Sequence, residues 1–170
     1  LMHYPEFSTI TSSTPTVIGD GIATTGTIPR ELFVLGRVDE QALAVNVEGK
    51  GIVLIVGCGH QTVQKLLERT QQVFGLPLYG LIGGLHYPVP SGRDRMLGVV
   101  DLQRLFASKG WLHPPTDADV NAGIERLKAE QPTIIALSPH DSHDEVIARF
   151  RSAFGTRYRN LRVGDPILIQ

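Results

Sequence analysis

The first third of the chain carries its apolar residues in short, strand-like runs. After a polar, irregular opening from Leu1 to Ser13, Thr16–Ile18 and Ile22–Thr25 are β-like pieces separated by the turn Gly19-Asp20-Gly21. Gln41–Val47 and Ile52–Val56 flank Glu48-Gly49-Lys50-Gly51, a pattern that predicts a β-hairpin. The period then lengthens. Val63, Leu66, Leu67, Thr70, Val73 and Phe74 recur at helical spacing, so Gln61–Phe74 reads as a helix with Gly75 as its stop. Leu78–Ile82 is a short apolar strand. A loop rich in Pro, Gly and charge runs from Tyr87 to Leu97, and a short helix is expected over Val99–Ser108. Thr116 and Asp119 make a capping-box signature ahead of a helix presenting Val120, Ile124 and Leu127. Thr133–Leu137 is strand-like, Asp144–Phe154 is helical with Val146, Ile147, Phe150 and Phe154 inward, and Pro166–Ile169 reads as a closing strand. Strands first, then strand and helix in alternation, predicts an α/β fold with a mixed sheet.

Composition narrows the function classes. The 170 residues are 42% hydrophobic and 19% charged, with a formal charge of −1, so the chain is long enough and apolar enough to bury a core. The balanced charge lacks the clustered Lys and Arg that nucleic-acid or anionic-membrane binding needs. One cysteine, Cys58, excludes an intrachain disulfide and favours a reducing compartment. No apolar run approaches the roughly 20 residues that span a bilayer, and the N-terminus has no signal-peptide layout. A cytoplasmic location is the expectation.

The chemistry sits just past the apolar strands. Ile52–Val56 runs into Gly57-Cys58-Gly59-His60, Leu78–Ile82 into Gly83-Gly84-Leu85-His86, and Thr133–Leu137 into Ser138-Pro139-His140. In open α/β sheets, ligands bind beyond the carboxyl ends of the strands. Three imidazoles delivered there from three strands can converge on one ion, and neutral imidazole suits zinc, iron, nickel or copper. The glycines allow a sharp turn and a close backbone approach to the ion. A single histidine after a strand is ordinarily a surface residue, and Gly-Cys-Gly-His alone can be a tight strand-to-helix turn around an inert thiol. The three together carry the case.

The ordered segments Thr24-Thr25-Gly26-Thr27-Ile28-Pro29-Arg30, Asp39-Glu40-Gln41-Ala42-Leu43, Gly57-Cys58-Gly59-His60 and Gly83-Gly84-Leu85-His86 resemble metallo-β-lactamase-superfamily proteins, specifically the dihydropterin–ribofuranosylaminobenzene 5′-phosphate synthase-like branch. Ser138-Pro139-His140 falls where that branch has its last ligand histidine, and Val163-Gly164-Asp165-Pro166-Ile167 is similar to its final strand. The resemblance runs from about Pro15 onward. It implies the C-terminal half of an αββα sandwich, with residues 1–170 as a single domain whose N-terminal, ligand-bearing half is absent. The family's His-x-His-x-Asp-His cluster precedes the matching region and occurs nowhere in this chain. Its Cys-Thr after the last histidine is Asp141-Ser142 here, and the acidic residue of its Thr-Gly-Glu-Ile-Pro-Arg segment is Thr27. What the resemblance implies is a metal-dependent hydrolase, present as a portion inactive alone. It would use zinc or another divalent transition metal (iron, manganese) on a small-molecule substrate, and would be completed by the missing N-terminal half or a second copy.

Its candidate metal ligands are His140, His60 and His86. Cys58 is a further candidate as thiolate, although a buried structural thiol is the commoner outcome. Asp141 has three possible roles: to ligate, to orient an imidazole, or to cap the helix that begins near Asp144, the last fitting the Asp141-Ser142 pair best. Arg30 is a candidate for binding a substrate phosphate bidentately, beside the plain alternative of a surface arginine. His143 is expected to be exposed, and His3 and His113 give no reason for a role. The competing reading is a non-catalytic remnant acting as an oligomerisation or interaction module, because a half-sandwich leaves one sheet face uncovered. A thiol redox module is the third, weakened by the lack of a resolving cysteine.

Overall fold

A computed structural model describes residues 10–32, 36–89, 95–96, 100–101, 115–140 and 142–169. In chain order the elements are β1 (Val17–Gly19), β2 (Ile22–Thr24), β3 (Ile28–Leu32), β4 (Gly36–Glu40), β5 (Leu43–Val47), β6 (Gly51–Val56), α1 (Val63–Phe74), β7 (Leu78–Gly83), β8 (Arg95–Met96), β9 (Val100–Asp101), α2 (Asp117–Ala129), β10 (Ile134–Leu137) and α3 (Asp144–Phe154). A six-stranded sheet runs β1-β2-β5-β6-β7-β10. Its first four strands pair antiparallel, whereas β6, β7 and β10 are parallel, so the expected α/β class with a mixed sheet is what the chain forms. Two antiparallel pairs, β3–β4 and β8–β9, lie outside it.

The helices form because their apolar positions recur on one side and their ends are capped. Thr116 and Asp119 make the reciprocal capping box anticipated for α2, which buries Val120, Ile124 and Leu127. The α1 helix buries Val63, Leu66, Leu67 and Thr70 and stops at Gly75, whose φ of 61° is a left-handed conformation that favours glycine. The α3 helix spans the residues expected and buries Val146, Phe150 and Phe154. All three cover one face of the sheet. The cross-strand row Ala44–Leu54–Leu81–Ile135 lies on that face and is 0–2% exposed. Burying each large aliphatic side chain there is worth about 1.5–3 kcal/mol. The adjacent row belongs to the opposite face and reads differently: Leu43 and Ile82 are half-buried, Ile55 is 43% exposed, and only Ala136 is fully covered.

Three expectations need correction. Pro166–Ile169 is not a strand. The outer edge of β10 is instead met by a parallel bridge between Ile135 and Tyr158, with the Arg159 N–H donating to the Ile135 carbonyl at 2.8 Å. The later residues run past it largely exposed, Val163 and Leu168 among them. Val100 and Asp101, expected in a helix, instead form a strand paired with Arg95–Met96; Val99 and the rest of the expected helix to Ser108 lie outside the described residues. The β3–β4 pair was not anticipated. Its strand β3 holds Pro29, which cannot donate to a ladder, and its burial alternates only weakly. Among the described residues, no helix is long and apolar enough to cross a membrane.

Candidate metal centre

The three parallel strands end in line. Val56 of β6 stands opposite Gly83 of β7, and Gly83 opposite Leu137 of β10. Beyond that line the segments bearing His60, His86 and His140 leave one edge of the sheet. The first two are packed backbone to backbone. A Cβ on Gly59 (φ 81°) would run into the Gly84 carbonyl, and one on Gly84 into the carbonyls of Gly57 and Cys58. The glycines expected to admit an ion therefore serve first to let two loops touch. The consequence is that the His60 and His86 rings lie 4.1 Å apart between centroids, tilted by 37°. His86 holds its backbone at φ 46°, and Thr62, the N-cap of α1, at φ 70°. Left-handed backbone at non-glycine residues costs on the order of 1–3 kcal/mol each and concentrates at functional sites.

His60 is the best-anchored of the candidates. Its backbone N–H donates to Glu40 Oε2 at 2.9 Å, and its Nδ1 lies 2.6 Å from Glu40 Oε1. Arg30 Nη1 donates to the His60 carbonyl at 2.5 Å. Glu40 and Arg30 both belong to the β3–β4 pair. Lys65 of α1 in turn donates to the Pro29 carbonyl at 2.6 Å, and Arg69 to the Thr25 carbonyl at 2.9 Å. Thr25, wholly buried, is pinned to Ala42 through both backbone and hydroxyl. The Thr24–Arg30 segment thus works as a mount for the His60 loop. Burial pushes the Glu40 carboxyl upward, but the hydrogen bonds and charge of His60, with the charge of His86, outweigh it and hold the group below its ordinary value. Burial likewise lowers the Arg30 guanidinium, against the raising influence of Tyr87, Asp119 and Glu40.

Donor atoms of Glu40, Cys58 and His60 all lie within 4.8 Å of one another. A nitrogen, a sulfur and an oxygen donor at that spread fit a divalent transition ion, for which bonds of about 2.0–2.3 Å are usual. Cys58 is partly exposed rather than sealed in the core. His86 stands beside this group through its ring contact with His60. His140 is exposed at the end of β10, its backbone N–H 3.2 Å from Ser138 Oγ. Asp141 lies outside the described residues, and the N-cap of α3 is His143, with no side-chain cap bond. His143 is half-buried rather than exposed, its N–H donating to the Tyr87 carbonyl at 3.3 Å. Tyr87 is buried and meets α2 at Gly123.

Two residues of this site were not singled out from sequence. Glu40 sits in the quoted Asp39–Leu43 segment, and its signal was an acidic residue at a strand end. Gln61, next to His60, is 1% exposed, and neither atom of its side-chain amide has a hydrogen-bond partner among the described residues. Its only sequence signal was its place beside a candidate ligand.

No family model and no curated protein matches the chain. Among solved structures it is similar to Tm1679, described as a metal-dependent hydrolase of the beta-lactamase superfamily, with a TM-score of 0.67 and 15% identity over 95% of this chain. At that identity the likeness is one of fold. The chain spans 58% of the length of that protein.

Proposed function

We propose that this chain forms the histidine-bearing part of a metal-dependent hydrolase of the metallo-β-lactamase superfamily, of the dihydropterin–ribofuranosylaminobenzene 5′-phosphate synthase-like branch. The observation that carries the reading is the convergence of Glu40, Cys58 and His60 at the carboxyl edge of the parallel strands, with the His86 ring against His60. His60 would be the principal ligand, Cys58 and His86 its neighbours, and His140 would join from the end of β10, with Asp141 beside it. The fold similarity to a metal-dependent hydrolase supports the same chemistry. A bound zinc, iron or manganese ion would supply Lewis acidity and lower the pKa of water toward neutrality. The chain's own groups would fix the imidazoles, His60 through its bonds to Glu40 and Arg30.

Among the described residues the site offers fewer ligands than a two-metal hydrolase would use. The rest would come from polypeptide beyond these 170 residues or from a second copy, so the chain alone is expected to be inactive. The purified chain, loaded with zinc and desalted, should retain the metal in elemental analysis, and His60→Ala should lose it. A version extended upstream should retain more and hydrolyse model esters or phosphodiesters. Metal retention equal in the chain and in His60→Ala would refute the reading. The half-exposed row of Leu43, Ile55 and Ile82 favours one alternative, a non-catalytic interaction module. A stable dimer that holds no metal would point there.

A further inference from the structure

Three hydrogen bonds converge on His60 from one element pair, and they are not interchangeable. The two oxygens of Glu40 take the backbone N–H and the ring Nδ1, and Arg30 takes the carbonyl. A carboxylate only accepts, so at 2.6 Å the ring must place its proton on Nδ1. The neutral imidazole then carries its lone pair on Nε2. We infer that Glu40 and Arg30 are positioning residues: a clamp on the β3–β4 pair that fixes one tautomer of His60 and presents Nε2 to the site. This rests on the reading of His60 as a metal ligand.

The clamp separates two roles that distance alone merges. Glu40 stands within the donor cluster, but each of its oxygens spends a lone pair on His60, so its part in the clamp is to hold the imidazole, with the ion left to the ring and the neighbouring donors. Arg30 is committed to a backbone carbonyl from a half-buried position, which suits an anchor better than a phosphate-binding arm. A carboxylate behind a ligating imidazole raises the basicity of the ligand and fixes its orientation, and its loss typically weakens metal binding by about 10–100-fold. The mount explains why Lys65 and Arg69 reach from α1 to the carbonyls of Pro29 and Thr25. They tie the clamp to the helix that begins just past the residue it holds.

The experiment reads the ring directly. The metal-free chain, with histidine ring nitrogens labelled by 15N and His60 assigned by comparison with His60→Gln, is examined by NMR at a pH where the ring is neutral. His60 in the wild type should show the Nδ1–H form alone. Glu40→Ala should shift it toward the Nε2–H form common in water. Glu40→Gln keeps the shape but offers one acceptor oxygen to two N–H donors, so it should give a mixture of the two forms between wild type and Glu40→Ala, which guards against mistaking a folding defect for the effect. Cobalt(II) titration of the same proteins follows. Glu40→Ala should bind about 10–100-fold more weakly with an unchanged ligand-field spectrum, and Arg30→Gln should weaken binding in the same way. A wild-type ring in the Nε2–H form, or a tautomer indifferent to Glu40→Ala, would overturn the clamp. A cobalt spectrum that changes in Glu40→Ala would make Glu40 a ligand and overturn it equally. A wild-type chain that binds no cobalt would sink the metal reading instead, and the tautomer comparison would still decide the clamp.

Discussion

Gln61 is buried beside a histidine that the fold holds at three points, and packing gives no reason for an amide there. An unsatisfied buried polar group costs about 1–3 kcal/mol, whereas an apolar residue of similar shape carries no such cost. Gln61→Met is therefore expected to raise the stability of the metal-free chain by about 1–2 kcal/mol in urea denaturation. A loss of stability would show that the amide is already paired. Tyr87 gives a second expectation. Burial, with the charge of Asp119 adding and that of Arg30 opposing, pushes its hydroxyl from 10.0 up to about 12. Below pH 10 both folded and unfolded chains keep the proton, and the contribution is fully present. Between about pH 10 and 12 the unfolded chain releases it first, so stability falls as pH rises. From pH 9 to 11.5 the wild type should lose about 2 kcal/mol more than Tyr87→Phe, at 1.36 kcal/mol per unit. Equal losses would mean the hydroxyl is not held neutral by its surroundings. At this scale the sequence made His60 and His86 legible, because each follows an apolar strand through glycines. Glu40 was not, because a carboxylate declares its partner only in space, and that partner lies 20 residues away.

Legibility at the scale of elements followed the strength of local signals. The capping box at Thr116 and the inward set Val146, Phe150 and Phe154 gave α2 and α3 without any tertiary knowledge. The strands β5 and β6 were evident as strand-like segments flanking the hairpin turn Glu48-Gly49-Lys50-Gly51. The β3–β4 pair was hidden because a five-residue strand containing Pro29 carries little pattern of its own, and the contact that ties it to α1, from Lys65 to the Pro29 carbonyl, exists only in space. The supposed closing strand failed for the converse reason: an apolar run needs a free partner edge, and Tyr158 and Arg159 already occupy part of that of β10. The contact of Gly59 with Gly84 is the element-level feature on which the site depends most. Gly59→Ala must both leave a left-handed φ and displace the Gly84 carbonyl. A loss of about 2–4 kcal/mol in stability is expected, from strain of about 1–3 kcal/mol plus overpacking of comparable size. Zinc retention should fall with it, because the same contact sets the spacing of the His60 and His86 rings. Alanine accommodated with stability intact would show that the two loops are free to move apart.

The whole molecule is asymmetric about its sheet. Helices α1, α2 and α3 cover the Leu54 side, while on the Ile55 side Val53, Ile134 and Ala136 are buried but Leu43, Ile55 and Ile82 stay partly exposed. Such a face has a definite consequence in water. Apolar area left exposed across adjacent strands favours association with whatever complementary surface is present, and in a purified sample that is another copy of the chain. The chain is therefore expected to self-associate with rising concentration, seen as a growing mass in size-exclusion chromatography with light scattering. Ile55→Lys tests the origin of that behaviour. At 43% exposure the side chain contributes little to the core, so a lysine there can keep its stem on the sheet and its ammonium in water, with a cost of under about 1 kcal/mol. Opposite two half-buried neighbours, Leu43 and Ile82, the charge would have to be desolvated in any sheet-on-sheet contact, which costs several kcal/mol. The variant should stay folded and monomeric at concentrations where the wild type associates, and its zinc retention should be unchanged, because Ile55 lies on β6 short of the edge that carries His60. Association that persists in Ile55→Lys would place the contact elsewhere on the chain and remove the main support for the interaction-module alternative.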